Sequence, residues 1–509
     1  MNRAPKATHR DWLGLAVISL PCVLYSMDLT VLNLAVPHIS ADLHPSSAQL
    51  LWIVDIYGFL LAGSLITMGT LGDRIGRRRL LLIGAAAFGG ASVITALSSS
   101  AGRLIAARGL LGVAAATLAP STLSLIRNMF EDSKQRTAAI AIWVASFSAG
   151  AAIGPVVGGA LLERFWWGSV FLVPVPIMVL LLVIGPVLLP EFRNPTVGRL
   201  DVISAAQSVA SILAVIFGLK LIAQGGSAGW AAVAVLAGLT TGALFLQRQR
   251  RLDEPLIDLR LFRNRIFSAA LAINMLDFFM GFGSLLFITQ YLQSVLGLSP
   301  LRAGLWTVPW AAASIVGSVF TPLLATRARP AFVMAGGLIV AAAGFGILTQ
   351  VGGSFGFPAL VTGSVLLSLG LAPLTTVATD MMVGVVAPER AGLASSVSET
   401  SSELGGALGI AVLGSIGSIA YRSYIANVVP TDVPIDVVRA VSKTIGEATA
   451  LAERLPGPIG VELLHVTREA FAVSCVVMGG ICAAMAIATA VASVVLLRHV
   501  PAAPAGGSD

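Results

Sequence analysis

Residues 176–189 read PIMVLLLVIGPVLL, with no charged and no hydrogen-bonding side chain among them. A strand of a membrane barrel alternates apolar and polar residues, and this run does not. In lipid the backbone must satisfy its own hydrogen bonds, so an unbroken apolar run folds as a helix. The rest of the chain agrees. Of 509 residues, 56% are hydrophobic and 11% charged, with a mean hydropathy of +0.89. A soluble chain carries about 25% charged residues. The sequence therefore describes an all-α polytopic membrane protein.

Runs of about 20 apolar residues cross a bilayer. The sequence offers fourteen, at 12–36, 49–70, 80–99, 103–127, 138–162, 168–190, 200–222, 230–248, 266–292, 303–325, 331–350, 357–384, 394–420 and 471–497. An even number puts both termini on one side. With that side cytoplasmic, roughly two thirds of the 32 Lys and Arg face the cytoplasm, the bias that orients membrane helices. The expected location is the cell (inner or plasma) membrane, multi-pass, with both termini cytoplasmic. The basic start MNRAPKATHRDW leads into an apolar run that continues past Asp28 to Pro37 without a clear cleavage site, so it reads as the first span. Two segments lie outside the hydrocarbon: a charged cytoplasmic linker at 248–265 and an outer loop at 421–470. Within the loop, VRAVSKTIGEATALAERL has helical spacing and is either a helical hairpin over the outer mouth or a solvated loop. Cys22, Cys475 and Cys482 all sit in apolar stretches, which argues against a disulfide framework or a metal cluster.

GTLGDRIGRRR, residues 69–79, falls between spans two and three. Gly72 and Gly76 permit a tight turn there. Asp73 stands alone among Arg74, Arg77, Arg78 and Arg79. Arg108, in RLIAARGLLG (103–112), lies about one and a half turns inside span four. It either snorkels to the outer surface or pairs inside the bundle, where Asp28 and Asp55 are the candidate partners. GAAIGPVVGG (150–159) lines one face of span five with Gly150, Gly154 and Gly158, a spacing that lets helices approach closely. Pro155 removes a backbone donor and allows a bend, and Gly159 completes the motif.

These stretches, with MDLTVLNLAVP (27–37), LWIVDIYGFLLAG (51–63) and ATDMMVGVVAPERAGLASSVSETSSELGGALG (378–409), resemble the major facilitator superfamily. Within it they are most similar to the fourteen-span drug:proton antiporter group, the QacA, SmvA and LfrA type. The resemblance covers essentially the whole chain. It implies a six-helix bundle at 12–190, two inserted helices at 200–248, the linker at 249–265, and a second six-helix bundle at 266–497 containing the outer loop. It implies that Gly69, Gly72, Asp73, Arg74, Gly76, Arg77 and Arg78 form a latch that makes and breaks as the halves rock. It also implies that the glycine motif of span five goes with exchange of drug for proton.

SETSSELGGALG, 398–409, puts Glu399 and Glu403 one turn apart on one face of span thirteen. At 1.5 Å per residue from residue 394, Glu403 lies about 14 Å deep. Ionised carboxylates are disfavoured there, and each discourages ionisation of the other. Such a site takes either a proton or an organic cation, and each displaces the other. Asp277 lies about 17 Å into span nine by the same rise. Its neighbours Phe278, Phe279 and Phe282, with Trp306 and Trp310 of span ten, either wall a flat cation with ring faces or pack against lipid. Asp28, Asp55, Asp277, Glu399 and Glu403 are thus the candidate proton-coupling or cation-binding acids. Asp380, near the cytoplasmic end of span twelve, is placed for a gate or a helix cap.

All five histidines fall outside the spans, so a proton path must use carboxylates. The four lysines do not follow glycines, and the phosphate-binding GxxxxGK[ST] loop is missing from the sequence. The expected driving force is the proton gradient, with no cofactor and no metal. The chain shows no nucleophile–base arrangement, so no enzyme is expected. The sequence reads as a monomeric, proton-coupled exporter of lipophilic organic cations such as quaternary ammonium compounds, dyes and biocides. Its partners are protons, those cations and the bilayer, without nucleic acid. The alternative is an exporter of a single endogenous or antibiotic product.

Overall fold

The computed structural model describes residues 6–45, 47–193, 201–223, 227–252, 255–257, 259–352, 356–387, 391–428, 445, 448 and 458–501. These residues form fifteen α-helices and no strand. In chain order they are α1 (His9–Leu43), α2 (Ser47–Ile75), α3 (Arg77–Ala96), α4 (Ala101–Ala115), α5 (Leu118–Met129), α6 (Ser133–Leu162), α7 (Pro174–Leu188) and α8 (Val202–Ala223). There follow α9 (Ala228–Gln249), α10 (Arg265–Gln290), α11 (Pro300–Arg327), α12 (Pro330–Leu348), α13 (Gly356–Gly384), α14 (Ala391–Val428) and α15 (Pro458–Leu497). Among the described residues, thirteen helical stretches are long and apolar enough to cross a membrane, and α8 carries a shorter apolar run at 203–219.

Local chemistry sets the ends. Thr8 and Asp11 form a reciprocal capping box at the start of α1. The Asp132 carboxylate accepts the amides of Lys134 and Gln135 at the start of α6. The expected fourth span stands as one apolar stretch, Ala101–Met129, interrupted within it between α4 and α5. Pro120 has no amide to return to Ala116, and the ladder breaks just there, at Ala116 and Thr117. α14 and α15 overrun their expected spans. With 38 and 40 residues they are about 57 and 60 Å long, well beyond a hydrocarbon core of about 30 Å. The helical hairpin expected within 421–470 lies outside the described residues, apart from these extensions to Val428 and from Pro458.

α1 to α7 close around one apolar core, which includes Leu15, Tyr57, Phe88 and Phe130. α10 to α15 close around a second, which includes Phe267, Met280, Phe345 and Cys482. α8 and α9 pair with each other, and α8 packs on both α2 and α14. A two-pronged Arg248–Asp201 bond at 2.8 and 3.1 Å ties the start of α8 to the end of α9, and that bond holds the Asp201 carboxyl down at about 2. The halves meet where α6 packs on α11 and α2 on α14. Exposed side chains such as Val183, Leu236, Ile339 and Val495 point outward, where lipid stands in for water.

Gly150, Gly154 and Gly158 set α6 directly on α1. A Cβ at Gly150 would strike the Val23 carbonyl, and one at Gly154 the Thr30 hydroxyl. The side chain of Pro155 is outside the described ones, and Gly159 is half-buried. Gly405 and Gly409 of α14 bring it equally close to Met275 and Phe279 of α10. Gly150→Val is expected to cost about 1–3 kcal/mol through overpacking. A thermal unfolding midpoint equal to wild type would show that α1 and α6 part freely.

Candidate functional site

Between the two cores lies a cavity of about 250 Å³. Three intramembrane acids line it: Asp277 from α10, and Glu399 and Glu403 from α14. The first comes from one helix and the other two from its neighbour, so the convergence is a product of packing. Asn274 of α10 donates to the Ser402 hydroxyl of α14 at 2.9 Å, which fixes the register between them.

Each acid has its own surroundings. Asp277 is 3% exposed, and the Thr375 hydroxyl donates to its Oδ2 at 2.5 Å. Its Oδ1 is buried without a hydrogen-bond partner among the described residues. Such an oxygen is costly to leave unmet in an apolar site. Glu403 accepts the Tyr25 hydroxyl at 2.6 Å, across from α1. Glu399 and Glu403 are half-buried, and both border the cavity.

Six aromatic rings and eight serine or threonine side chains line it alongside the acids. Phe278 and Phe282 stack at 5.9 Å and line the cavity with Trp310. The other two expected rings do not reach it. Phe279 packs against the second core, and Trp306, 42% exposed, lies edge-on to Phe357 at 4.6 Å. From the first half come Tyr25, Trp143 and Phe147, which the sequence analysis missed. Trp143 and Phe147 sit one turn apart on the helix with the glycine row, and that spacing is the trace they leave in the sequence. Thr375 and the facing pair Ser148 and Ser314, 2.8 Å apart, were missed as well.

Asp28 does not line the cavity. It is buried and receives Arg108 Nη1 at 2.7 Å. Arg108 is 1% exposed, so it does not snorkel. Its Nε donates to the Ile53 carbonyl at 3.3 Å, and its guanidinium lies over the Tyr57 ring at 4.8 Å. The side chain of Asp55 lies outside the described ones.

At the face where α1 begins and α7 ends, Gly69, Gly72, Asp73 and Arg74 close α2, Gly76 turns the chain at φ +109°, and Arg77 and Arg78 open α3. That φ is one that favours glycine. Asp73 pairs with the buried Arg77. Glu191, which the sequence analysis also missed, accepts the Arg78 and Arg79 amides at 3.0 and 3.1 Å and so caps α3. On the same face Asp380 of α13 joins the halves. It accepts Arg136 Nε and the Thr137 hydroxyl of α6, each at 2.7 Å.

A half-open, largely apolar cavity between two helical halves, with convergent polar groups, is the usual form of a small-molecule site. The pattern that defines the Major Facilitator Superfamily matches residues 19–410. The chain belongs to the Major Facilitator Superfamily. It is a multi-pass membrane transporter.

Within the superfamily it is 44% identical over 462 residues to the multidrug efflux pump LfrA of Mycolicibacterium smegmatis, covering 91% of each chain. It is 35% identical over 470 residues to the methyl viologen resistance protein SmvA of Salmonella typhimurium, covering 91% of this chain and 93% of that one. Among solved structures, it resembles a bacterial homologue of the human lysosomal transporter Spinster in an inward-facing and unoccupied conformation. There the TM-score is 0.59 at 18% identity, over 97% of this chain and 99% of the other. At that identity the likeness concerns the fold alone.

Proposed function

We propose that the protein is a proton-coupled antiporter of the fourteen-span drug:proton group, exporting lipophilic organic cations from the cytoplasm by alternating access. The observation that carries this reading is the meeting of Asp277, Glu399 and Glu403 in one cavity with Tyr25, Trp143, Phe278 and Trp310. Carboxylates attract a cation, and ring faces hold its flat apolar body. The same carboxylates hold protons when the cation is absent, so each passenger expels the other. The name of LfrA, a multidrug efflux pump, supports export of several compounds, and that of SmvA supports a cationic one, since methyl viologen is a flat organic dication.

In this reading residues 12–190 and 266–497 are the rocking halves, 200–248 the inserted pair, and both termini are cytoplasmic. Asp380 with Arg136 and Thr137 then closes the cytoplasmic end, alongside the latch at Asp73 and Arg77. The cavity of about 250 Å³ is below the range of about 300–1,000 Å³ for drug-sized ligands, so the halves part to load. No cofactor is required, because the proton gradient supplies the work.

The test is reconstitution in liposomes with an imposed pH gradient, with uptake measured for a panel of cations, dyes and neutral drugs. Gradient-driven uptake of several unrelated cations supports the proposal. Uptake of a single neutral compound would replace it with an exporter of one product.

Asp277 lies on a different helix from the glutamate pair, so it offers a second cationic centre its own partner. Asp277→Asn is expected to weaken dications about tenfold and monocations less, the loss of one charge-assisted contact. Competition binding on the purified protein measures both. Equal losses would remove Asp277 from the cation site.

A further inference from the structure

Among the described residues, side-chain hydrogen bonds that cross between the halves at the level of the cavity include two between α1 or α6 and the other half. One joins the hydroxyls of Ser148 and Ser314, and it is neutral whatever the chamber contains. The other runs from the Tyr25 hydroxyl on α1 to Glu403 Oε1 on α14, at 2.6 Å. It ends on a carboxyl that gains and loses charge as passengers come and go.

Tyr25 is held in place. It is 5% exposed and lies edge-on to Phe147 at 5.5 Å, which lies edge-on to Trp143 at 4.8 Å. The Trp143 indole in turn donates to Thr122 at 3.0 Å. A phenol packed this way does not follow a carboxylate that withdraws with the other half. The other titratable groups in electrostatic reach of Tyr25 are Glu399 on α14 and Tyr57 on α2. Tyr57 faces Asp28 and Arg108 in turn, and Asp277 borders the same cavity from α10.

A hydroxyl bond to an ionised carboxylate is about twice as strong as a neutral one, and its length is about 2.5–2.7 Å. A proton on Glu403, or a cation seated against it, removes that advantage. An exchanger stays coupled only if it reorients when loaded with proton or cation, and stays put when loaded with neither. An empty, deprotonated carrier that reorients turns exchange into a proton leak.

The geometry points to Tyr25 as the residue that blocks this leak, by tying the halves together through Glu403 only while that carboxylate is charged and unoccupied. Tyr25 is a positioning residue, acting through Glu403 and not by carrying the proton. The inference rests on the antiport reading above.

The experiment uses the full-length protein in liposomes with a pH gradient, a clamped potential and no cation substrate, and records proton entry with a trapped dye. Tyr25→Phe is expected to raise this flux about tenfold, the weight of one hydrogen bond to a charged group. Glu403→Asp keeps a carboxyl but draws it back by one methylene, and is expected to leak likewise. Adding Glu403→Gln to Tyr25→Phe is expected to return the flux to the wild-type level, because the leak passes through the carboxyl. A merely loosened bundle would leak in both backgrounds.

Wild-type flux in the folded single variants overturns the proposal, and so does a leak that persists in the double variant. If Tyr25→Phe does not fold, Glu403→Asp decides. A second arm adds a quaternary ammonium dye to wild-type vesicles. Dye-driven proton release there, with no leak in the variants, leaves antiport standing and Tyr25 refuted. No release in wild type refutes antiport itself.

Discussion

Glu403→Gln is expected to abolish the proton release that cation binding provokes, and to bring gradient-driven uptake down to that of empty liposomes. Glutamine keeps the length and shape of the side chain and can still accept the Tyr25 hydroxyl, a bond of 2.6 Å in wild type. What it loses is the ability to hold or surrender a proton. The expected failure is therefore one of exchange, with folding intact. The energetics show why a single carboxyl matters. One pH unit contributes about 1.4 kcal/mol per proton. Swapping one proton for one monovalent cation uses only that quantity, since no net charge crosses. Two protons per cation would also draw on the membrane potential, about 2.3 kcal/mol per charge per 100 mV. Asp277 and Glu399 border the same cavity, so they are the groups that would carry a second proton. The measurement is proton release from purified protein in weak buffer on adding a quaternary ammonium dye. Release from the well-folded variant equal to wild type would assign the exchange to another group.

How much of this was legible in the sequence follows from what lipid allows. Long apolar runs have one workable backbone in a bilayer, so the helices could be read directly. Their ends could not be read where hydropathy stops reporting. α14 and α15 continue as helices through 421–428 and 458–470, past any hydrocarbon, and composition there resembles a loop. The break before α5 was written in Pro120, and it leaves 101–129 the one apolar span that the sequence offered. In the site, the acids were visible because a charge inside an apolar span is rare and conspicuous. That Asp277 and the glutamates share one cavity was not visible, because it depends on how α10 lies against α14. The aromatics were half legible. Phe278 and Phe282 are one turn apart and share a face, whereas Phe279 is turned about 100° away and meets the core instead. Tyr25, Trp143 and Phe147 gave little signal, since rings and hydroxyls are at home in membrane helices. The partner of Arg108 was narrowed to two acids by depth, and only packing chose Asp28.

Arg108→Met is expected to destabilise the protein by about 3–5 kcal/mol, the cost of stranding one member of a buried ion pair. Asp28 is 8% exposed and Arg108 1%, so water does not step in for the lost partner. The loss is not confined to two residues. Arg108 belongs to α4, Asp28 to α1, and Ile53, whose carbonyl takes the guanidinium Nε, to α2. One side chain thus pins three helices of the first half, with Tyr57 as the floor beneath its charge. Methionine fills much of the volume, so the expected deficit is electrostatic and not a cavity effect. A second substitution separates the two. Replacing both partners, Arg108→Met with Asp28→Leu, leaves no unpaired charge and is expected to recover more than half of the lost stability. Thermal unfolding of the detergent-solubilised variants measures it. The consequence extends to the cavity, because Tyr25 lies one turn before Asp28 on α1 and reaches Glu403 only while α1 keeps its place. In the single variant, the tie between the halves is therefore expected to loosen together with the bundle. An Arg108→Met protein as stable as wild type would mean that glycine-mediated packing of α1 on α6 holds α1 unaided, and that the buried pair serves transport alone.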